Sequence, residues 1–286
     1  MLMRLMVTGG AGVVGSELCS HLRNAGHPVF PVDVSGGDGV IVADLRDEAA
    51  VSRVFEQIRP DAVLHLAANK NVFFCEEHPE VAHAVNYKIT EILTAACNRF
   101  NARMIFISSD YVFGGSSRTF TETDEPCPTT QYGKDKAASE QVILKTLKDG
   151  AIVRTAGLYG FPGDLLQVVK AALSKGESFR AFDNLINCPT WTPDLFRMID
   201  RILEAGFCGI FHCVGPEALS RFDYACAVAE VFDLDRTMVL AEKLDFTKDI
   251  RPPSLRLDGH STYARLGVTP GTLKENLKRI RDEQSR

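Results

Sequence analysis

Residues 2–15 read Leu2-Met3-Arg4-Leu5-Met6-Val7-Thr8-Gly9-Gly10-Ala11-Gly12-Val13-Val14-Gly15, and this stretch decides the fold. Its apolar run carries Arg4 and stops at Thr8, far short of a membrane span or the apolar core of a signal peptide, so it reads as a buried strand of a cytoplasmic protein. A helical pattern follows the glycines at once. Strand, tight turn and helix N-terminus in this order present free N–H groups and the positive end of a helix dipole to a pyrophosphate. Gly9 and Gly12 then let the backbone turn and approach the phosphates, Val13 and Val14 stand in the first helical turn beside them, and Gly15 lets the helix pack closely.

Outward from this loop, a second β-rich run ends at Asp33. A carboxylate there accepts hydrogen bonds from adenosine ribose hydroxyls and repels a 2′-phosphate. No Arg or Lys follows in residues 34–38, so NAD is expected as cofactor, with NADP left open. Asp44 and Leu45 are candidate contacts to the adenine, and Leu66, Ala67 and Ala68 close a third strand beside the cofactor. Both expectations follow from the rule that ligands sit at the carboxyl ends of the strands.

Across the first 160 residues, strands expected at 2–8, 29–34, 62–66, 103–108 and 151–154 alternate with helical patterns at 12–24, 48–58, 79–100 and 131–148. That alternation predicts an α/β fold with a doubly wound parallel sheet. From about Phe161 the texture changes to Gly-Pro turns, short helices and isolated strands such as 209–214. The expected organisation is a dinucleotide-binding domain over 1–160, completed by parts of 190–215, and a smaller interleaved C-terminal substrate lobe over 161–286.

Bulk properties narrow the class. The 286 residues are 45% hydrophobic and 24% charged, as in an ordinary globular protein. The formal charge is −5 with Lys and Arg scattered, so no nucleic-acid polymer and no membrane is expected as partner. The eight cysteines include no CxxC pair, and the closest two, Cys208 and Cys213, flank an expected strand; reduced, mostly buried thiols are expected. The seven histidines show no metal-ligand spacing, and no catalytic metal is expected.

Of the six tyrosines, only Tyr132 has a lysine four residues on, Lys136, which places both on one helical face. A phenol titrates near pH 10 and is a poor acid–base group at neutrality until a cation stabilises its phenolate, a role open to Lys136. Ile105-Phe106-Ile107-Ser108-Ser109 runs a strand into hydroxyls at its carboxyl end, where such a sheet presents its active site. Tyr132 as proton donor, Lys136 as its tuning cation and Ser109 as the residue orienting a substrate oxygen form a candidate catalytic triad.

TGGAGVVG, HLAA, the Asn86 region, SSDYVFGG, YGKDK and RTAGLYG, in this order, resemble the extended short-chain dehydrogenase/reductases acting on nucleotide sugars, over nearly the whole chain. The resemblance implies a Rossmann-type sheet, Asn86 near the cofactor, Lys136 on the nicotinamide ribose, a nucleotide-sugar substrate and a homodimer. Within the superfamily, Ser108-Ser109-Asp110-Tyr111-Val112-Phe113, the acidic and proline stretch 122–128 and Cys188-Pro189-Thr190 look most like the dTDP-4-dehydrorhamnose reductases. Two features depart from that group. Gly157 stands where these reductases usually carry Trp, and the first loop is closer to that of the epimerases.

A 4,6-dehydratase of this superfamily carries an Asp-Glu pair after the active-site hydroxyl; Asp110-Tyr111 stands here instead, which argues against dehydration and makes Asp110 and Tyr111 substrate-side candidates. The reading favoured is a reductase of a 4-keto-6-deoxy nucleotide sugar. A nucleotide-sugar epimerase is the alternative within the superfamily, and a non-catalytic NAD(P)-binding regulatory subunit, like that of methionine adenosyltransferase, is the alternative of another class. Arg251, at an Arg-Pro step, is a candidate for the substrate pyrophosphate; Arg221 reads as surface and Trp191 as packing.

Overall fold

The apolar runs pair as a seven-stranded sheet in a computed structural model that describes residues 2–284; residues 1, 285 and 286, at the ends of the two expected domains, lie outside it. In chain order its strands are β1 Leu5–Thr8, β2 Val29–Asp33, β3 Ile41–Val42, β4 Ala62–His65, β5 Arg103–Ser109, β6 Gly150–Thr155 and β7 Gly209–His212, and they lie in the order β7-β6-β5-β4-β1-β2-β3. Leu5 of β1 pairs in parallel register with Val29 on one side and Ala62 on the other, and Thr8 with Val32 and His65. Every residue of β1, β4 and β6 is buried, as expected of strands covered on both faces. The chain order reverses at β1, so a crevice opens outside the carboxyl ends of β1 and β4.

Four helices bear on the site: α1 Val13–Asn24, α2 Glu48–Ile58, α3 Ile89–Phe100 and α4 Gln131–Thr146. Val51, Val54, Phe55 and Ile58 of α2, Ile89, Leu93 and Cys97 of α3 and Ile143 of α4 fill one face of the sheet against Met6, Val63, Met104, Phe106 and Ile152. The single helix expected over 79–100 is broken in character. Pro79–His83 is α-helical, Ala84–Lys88 forms a π-helical turn, and α3 follows. Such a turn inserts one extra residue into the ladder, and here it carries the buried Asn86. A helix at Val72–Glu77, capped by Asn71, was not expected.

The described residues cluster into two units. The first comprises residues up to Val112, Pro126–Arg154 and Asp200–Phe211, so β7 and the end of the helix before it complete the sheet. The second comprises Phe113–Glu125, Thr155–Ile199 and the residues from His212 on. The segment Phe113–Glu125, inside the expected first domain, belongs to the second unit because Thr119–Phe120 pairs with Arg256–Leu257. That unit has its own core of Leu166, Val169, Tyr224, Val228, Leu277 and neighbouring residues.

All eight cysteines are free thiols, and six of them are buried. Among the described residues no helix is long and apolar enough to cross a membrane.

Candidate active site

The glycine loop is shaped by close backbone contacts. Gly9 has φ +70°, and a Cβ on it would stand 2.9 Å from the Ala67 nitrogen, so both its conformation and its neighbour demand glycine. A Cβ on Gly15 would overlap the Gly9 carbonyl oxygen. Gly15 therefore lets α1 rise directly off the turn, and its close neighbour is the loop itself.

Gly12 is the N-cap of α1 and offers no side chain to its first amides, and no acidic residue stands in the first turn. The neighbouring helices are capped by their own residues, α2 by Asp47 and α4 by Thr130. The amides at Val13 and Val14 thus belong to a helix end with no side-chain cap of its own, and the glycine cradle leaves room that a Cβ would fill. These residues fit a dinucleotide pyrophosphate.

Around this loop the other expected cofactor residues sort into two sets. Asp33, at the end of β2, accepts from the Ala11 amide at 3.2 Å and the Ser35 amide at 3.0 Å, one on each oxygen. It ties the glycine loop to β2 while each oxygen retains a lone pair for a ribose hydroxyl. Leu66, Ala67 and Ala68 are half-buried past the end of β4, with the Ala67 amide donating to Thr8 Oγ1 at 3.2 Å. Asp44 is paired with Arg46 at 2.6 Å, whose guanidinium holds the carboxyl below its usual range. The Leu45 side chain lies in the hydrophobic core.

Asn86 is buried in the π-helical turn. Its Oδ1 accepts from the Asn69 amide at 2.7 Å and its Nδ2 donates to the Asn69 carbonyl at 3.1 Å, which clamps the loop leaving β4. A chain of buried polar contacts behind it, not foreseen from sequence, runs from Thr8 through His65 and Thr90 to Ser139 on α4. Burial, with the charge of Lys136, pulls His65 down to about 3, so the ring is neutral at physiological pH.

Helix α4 brings the candidate triad together. Thr130 Oγ1 caps it by accepting from the Gly133 amide at 3.1 Å. A Cβ on Gly133 would overlap the Tyr111 carbonyl, so this glycine lets the first turn of α4 lie against the segment that follows Ser109. Tyr132 and Lys136 share one helical face, and both are buried.

Lys136 Nζ donates to the Ile107 carbonyl at 2.8 Å, and stands 4.5 Å from the centre of the Phe106 ring and 5.9 Å from that of Tyr132. Burial pulls its ammonium down to about 8, against the pull of Glu140 and Asp135. Burial likewise pushes the Tyr132 phenol up, offset in part by the Ser109 hydroxyl. The expected lowering of the phenol by Lys136 does not dominate, because the ammonium is directed to Ile107 and the ring is desolvated. Tyr132 is therefore a protonated phenol at neutral pH.

Ser109 ends β5, donates to Asp110 Oδ1 at 2.9 Å and accepts from the Tyr111 amide at 3.2 Å. Asp110 is buried and orients that hydroxyl, and Tyr111 meets Tyr132 edge-on with centroids 5.8 Å apart. In the second unit, Arg251 forms a two-pronged pair with Asp249 at 2.8 and 2.7 Å, so its fork is engaged within the protein. Arg221 lines a water-sized cavity with Asn187 and Tyr224. Trp191 packs against the core of this unit, as expected.

The chain is similar to known proteins over nearly its whole length. The family model of the RmlD substrate binding domain matches residues 3–286. The dTDP-4-dehydrorhamnose reductase of Mycolicibacterium smegmatis is 32% identical over 276 residues, 94% of this chain and 82% of that one. Methionine adenosyltransferase 2 subunit beta of Xenopus laevis is 28% identical over 242 residues, 81% of this chain and 72% of that one. The crystal structure of dTDP-4-dehydrorhamnose reductase from Bacillus anthracis, in complex with NADP, superposes with a TM-score of 0.90 at 24% identity, covering 99% of both chains, and shows the shared fold. The chain belongs to the family of the RmlD substrate binding domain, among the extended short-chain dehydrogenase/reductases of the nucleotide-sugar type.

Proposed function

We propose that this protein is an NAD(P)H-dependent reductase of a 4-keto-6-deoxy nucleotide sugar, with Tyr132, Lys136 and Ser109 handling the proton. The observation that carries the reading is the placement of Tyr132, kept protonated by burial, on one helical face with Lys136, where the Ser109 hydroxyl offsets part of the burial. The match to the RmlD family and the 32% identity to a dTDP-4-dehydrorhamnose reductase support the nucleotide-sugar class and NAD(P) chemistry.

Bound NAD(P)H would supply the hydride that reduces the carbonyl carbon. Tyr132 gives its proton to the carbonyl oxygen, so that C=O becomes CH–OH, and the phenolate formed is re-protonated from solvent. Ser109, its single hydroxyl proton turning from Asp110 to the same oxygen, donates to that oxygen and places it. The Lys136 cation stabilises the phenolate as it develops. Gly9, Gly12 and Gly15 with the first amides of α1 hold the pyrophosphate, and Asp33 holds the adenosine ribose, which favours NAD(H) over NADP(H).

The regulatory-subunit reading has a relative of its own in methionine adenosyltransferase 2 subunit beta. A sequence that keeps Ser109, Tyr132 and Lys136 together is better explained by retained chemistry. The test is absorbance at 340 nm with purified protein, NAD(P)H and a dTDP-linked 4-keto-6-deoxy sugar. A reductase consumes one cofactor per sugar; an epimerase interconverts sugars with no net change, and a regulatory subunit does neither.

A further inference from the structure

One helical turn beyond Lys136, α4 carries a further buried charge that the reaction scheme leaves unused. Glu140 is 2% exposed, accepts from the Ser108 hydroxyl at 2.5 Å, and is gripped by Arg154 of β6 through Nε at 3.0 and 3.2 Å and Nη2 at 2.7 Å. Arg154 is fully buried. The two adjacent β5 residues that precede Ser109 are therefore both bonded to α4, Ile107 to Lys136 and Ser108 to Glu140.

A buried ion pair is weak evidence for stability, since apolar residues of the same volume often serve as well. A positional role explains it better here, because removing Glu140 alone would leave two buried cations, Lys136 and Arg154. The groups bearing on Lys136 are Tyr132, Asp135 and Glu140 of α4, the neutral His65 of β4, and the Phe106 ring and Ile107 carbonyl of β5. Asp135 shares its Oδ1 with His83 and Gln131. Of the two carboxylates that favour the charged lysine, Glu140 has the larger effect.

We propose that Glu140 is a positioning residue of the reduction: clamped by Ser108 and Arg154, it locks α4 to β5 in register with Ser109 and sets a carboxylate one helical turn from the Lys136 ammonium. This rests on the Tyr132–Lys136 reading above. Its signature is a pH profile. Without the Glu140 charge, Lys136 loses its proton at lower pH, so reduction fails earlier as pH rises.

The experiment measures kcat against pH for full-length Glu140→Gln and Glu140→Asp, with melting midpoints and with Tyr132→Phe and Lys136→Met alongside. In Glu140→Gln the alkaline limb is expected to move down by about one pH unit, the scale of losing a nearby opposite charge. Glu140→Asp, which keeps the charge, is expected to return the limb toward wild type even if its midpoint falls. Should Glu140→Gln not fold because Arg154 is stranded, Glu140→Gln/Arg154→Met removes both charges, and its limb is expected to move in the same direction by less.

A folded Gln variant, single or double, that keeps the wild-type limb while only its midpoint changes overturns the proposal. So does a double variant that does not fold, since Glu140 would then serve the fold alone. Wild-type turnover in Tyr132→Phe and Lys136→Met would instead remove the catalytic reading beneath it. Loss of turnover in those two, with silent Gln variants, removes the Glu140 role only.

Discussion

Tyr132 sits where two opposing demands meet. A donor in a reduction must be protonated before the hydride arrives, and its conjugate base must be tolerable afterwards. Burial meets the first demand, and in the proposed reaction the Lys136 cation, 5.9 Å from the ring centre, would meet the second. Tyr132→Phe removes only the hydroxyl, so cofactor binding should stay nearly intact while turnover falls by about 10²-fold or more, the usual scale for a positioned acid. Binding titration and steady-state rates on one preparation check this, and unchanged turnover with chemistry rate-limiting would remove Tyr132 from the mechanism.

Lys136 makes a separate thermodynamic prediction. Its folded value of about 8 lies below the ordinary 10.5, so the unfolded chain binds more protons between those limits. Stability from this group must then rise as pH goes from about 8 to 10.5, by about 3 kcal/mol in total. The difference in unfolding free energy between wild type and Lys136→Met should show that rise, and a flat difference would mean that the ammonium is not buried as described.

At Asp33 the test is cofactor choice. Asp33→Ser should narrow or reverse a preference for NADH over NADPH in calorimetry; a wild type that binds NADPH more tightly contradicts the ribose role.

Among the elements, β1, β2, β4, β5 and β6 were legible because they are largely apolar runs, of which β1, β2 and β5 stop at Gly9, Asp33 and Ser109. The β1 turn and α1 were legible for the same reason, since only glycine tolerates Gly9's φ and Gly15's approach to the Gly9 carbonyl. Other features leave no periodic trace. The π-helical turn at Ala84–Lys88 has the composition of an ordinary helix, so Asn86 was reached by resemblance and not by geometry.

Glu140 reads from sequence as one more charge on a solvated helix face, and only tertiary contact with Ser108 and Arg154 reveals it as buried. Gly133 likewise passes for a weak helix residue until the Tyr111 carbonyl is seen against it. Gly133→Ala should therefore cost about 1–3 kcal/mol, the usual scale of overpacking, and should lower turnover by displacing Tyr132 from Ser109. Melting midpoint and kcat measured together check it; if neither moves, α4 does not depend on that contact.

For the whole molecule, each unit owns a core, and the chain passes between them several times. Texture along the sequence marked a change near residue 160, and the contacts divide at Arg154 and Thr155. It could not mark Phe113–Glu125, whose membership depends on pairing with Arg256–Leu257, more than a hundred residues away. Candidate residues of the second unit were the least legible: Arg251 is a candidate for the substrate pyrophosphate from its Arg-Pro step, and its two-pronged pair with Asp249, two residues away, leaves no trace in the sequence. The catalytic claim rests on the first unit, where β5 and α4 present Ser109, Tyr132 and Lys136.

The most direct test of that claim follows the hydride itself. NAD(P)H deuterated at the transferable position of the nicotinamide is incubated with the protein and a 4-keto-6-deoxy nucleotide sugar, and the product is analysed by mass spectrometry and NMR. The account predicts one deuteron on the former carbonyl carbon for each cofactor oxidised, with the rate of its appearance reduced by about 10²-fold in Tyr132→Phe. A product without the label, or labelled equally fast by Tyr132→Phe, would contradict it.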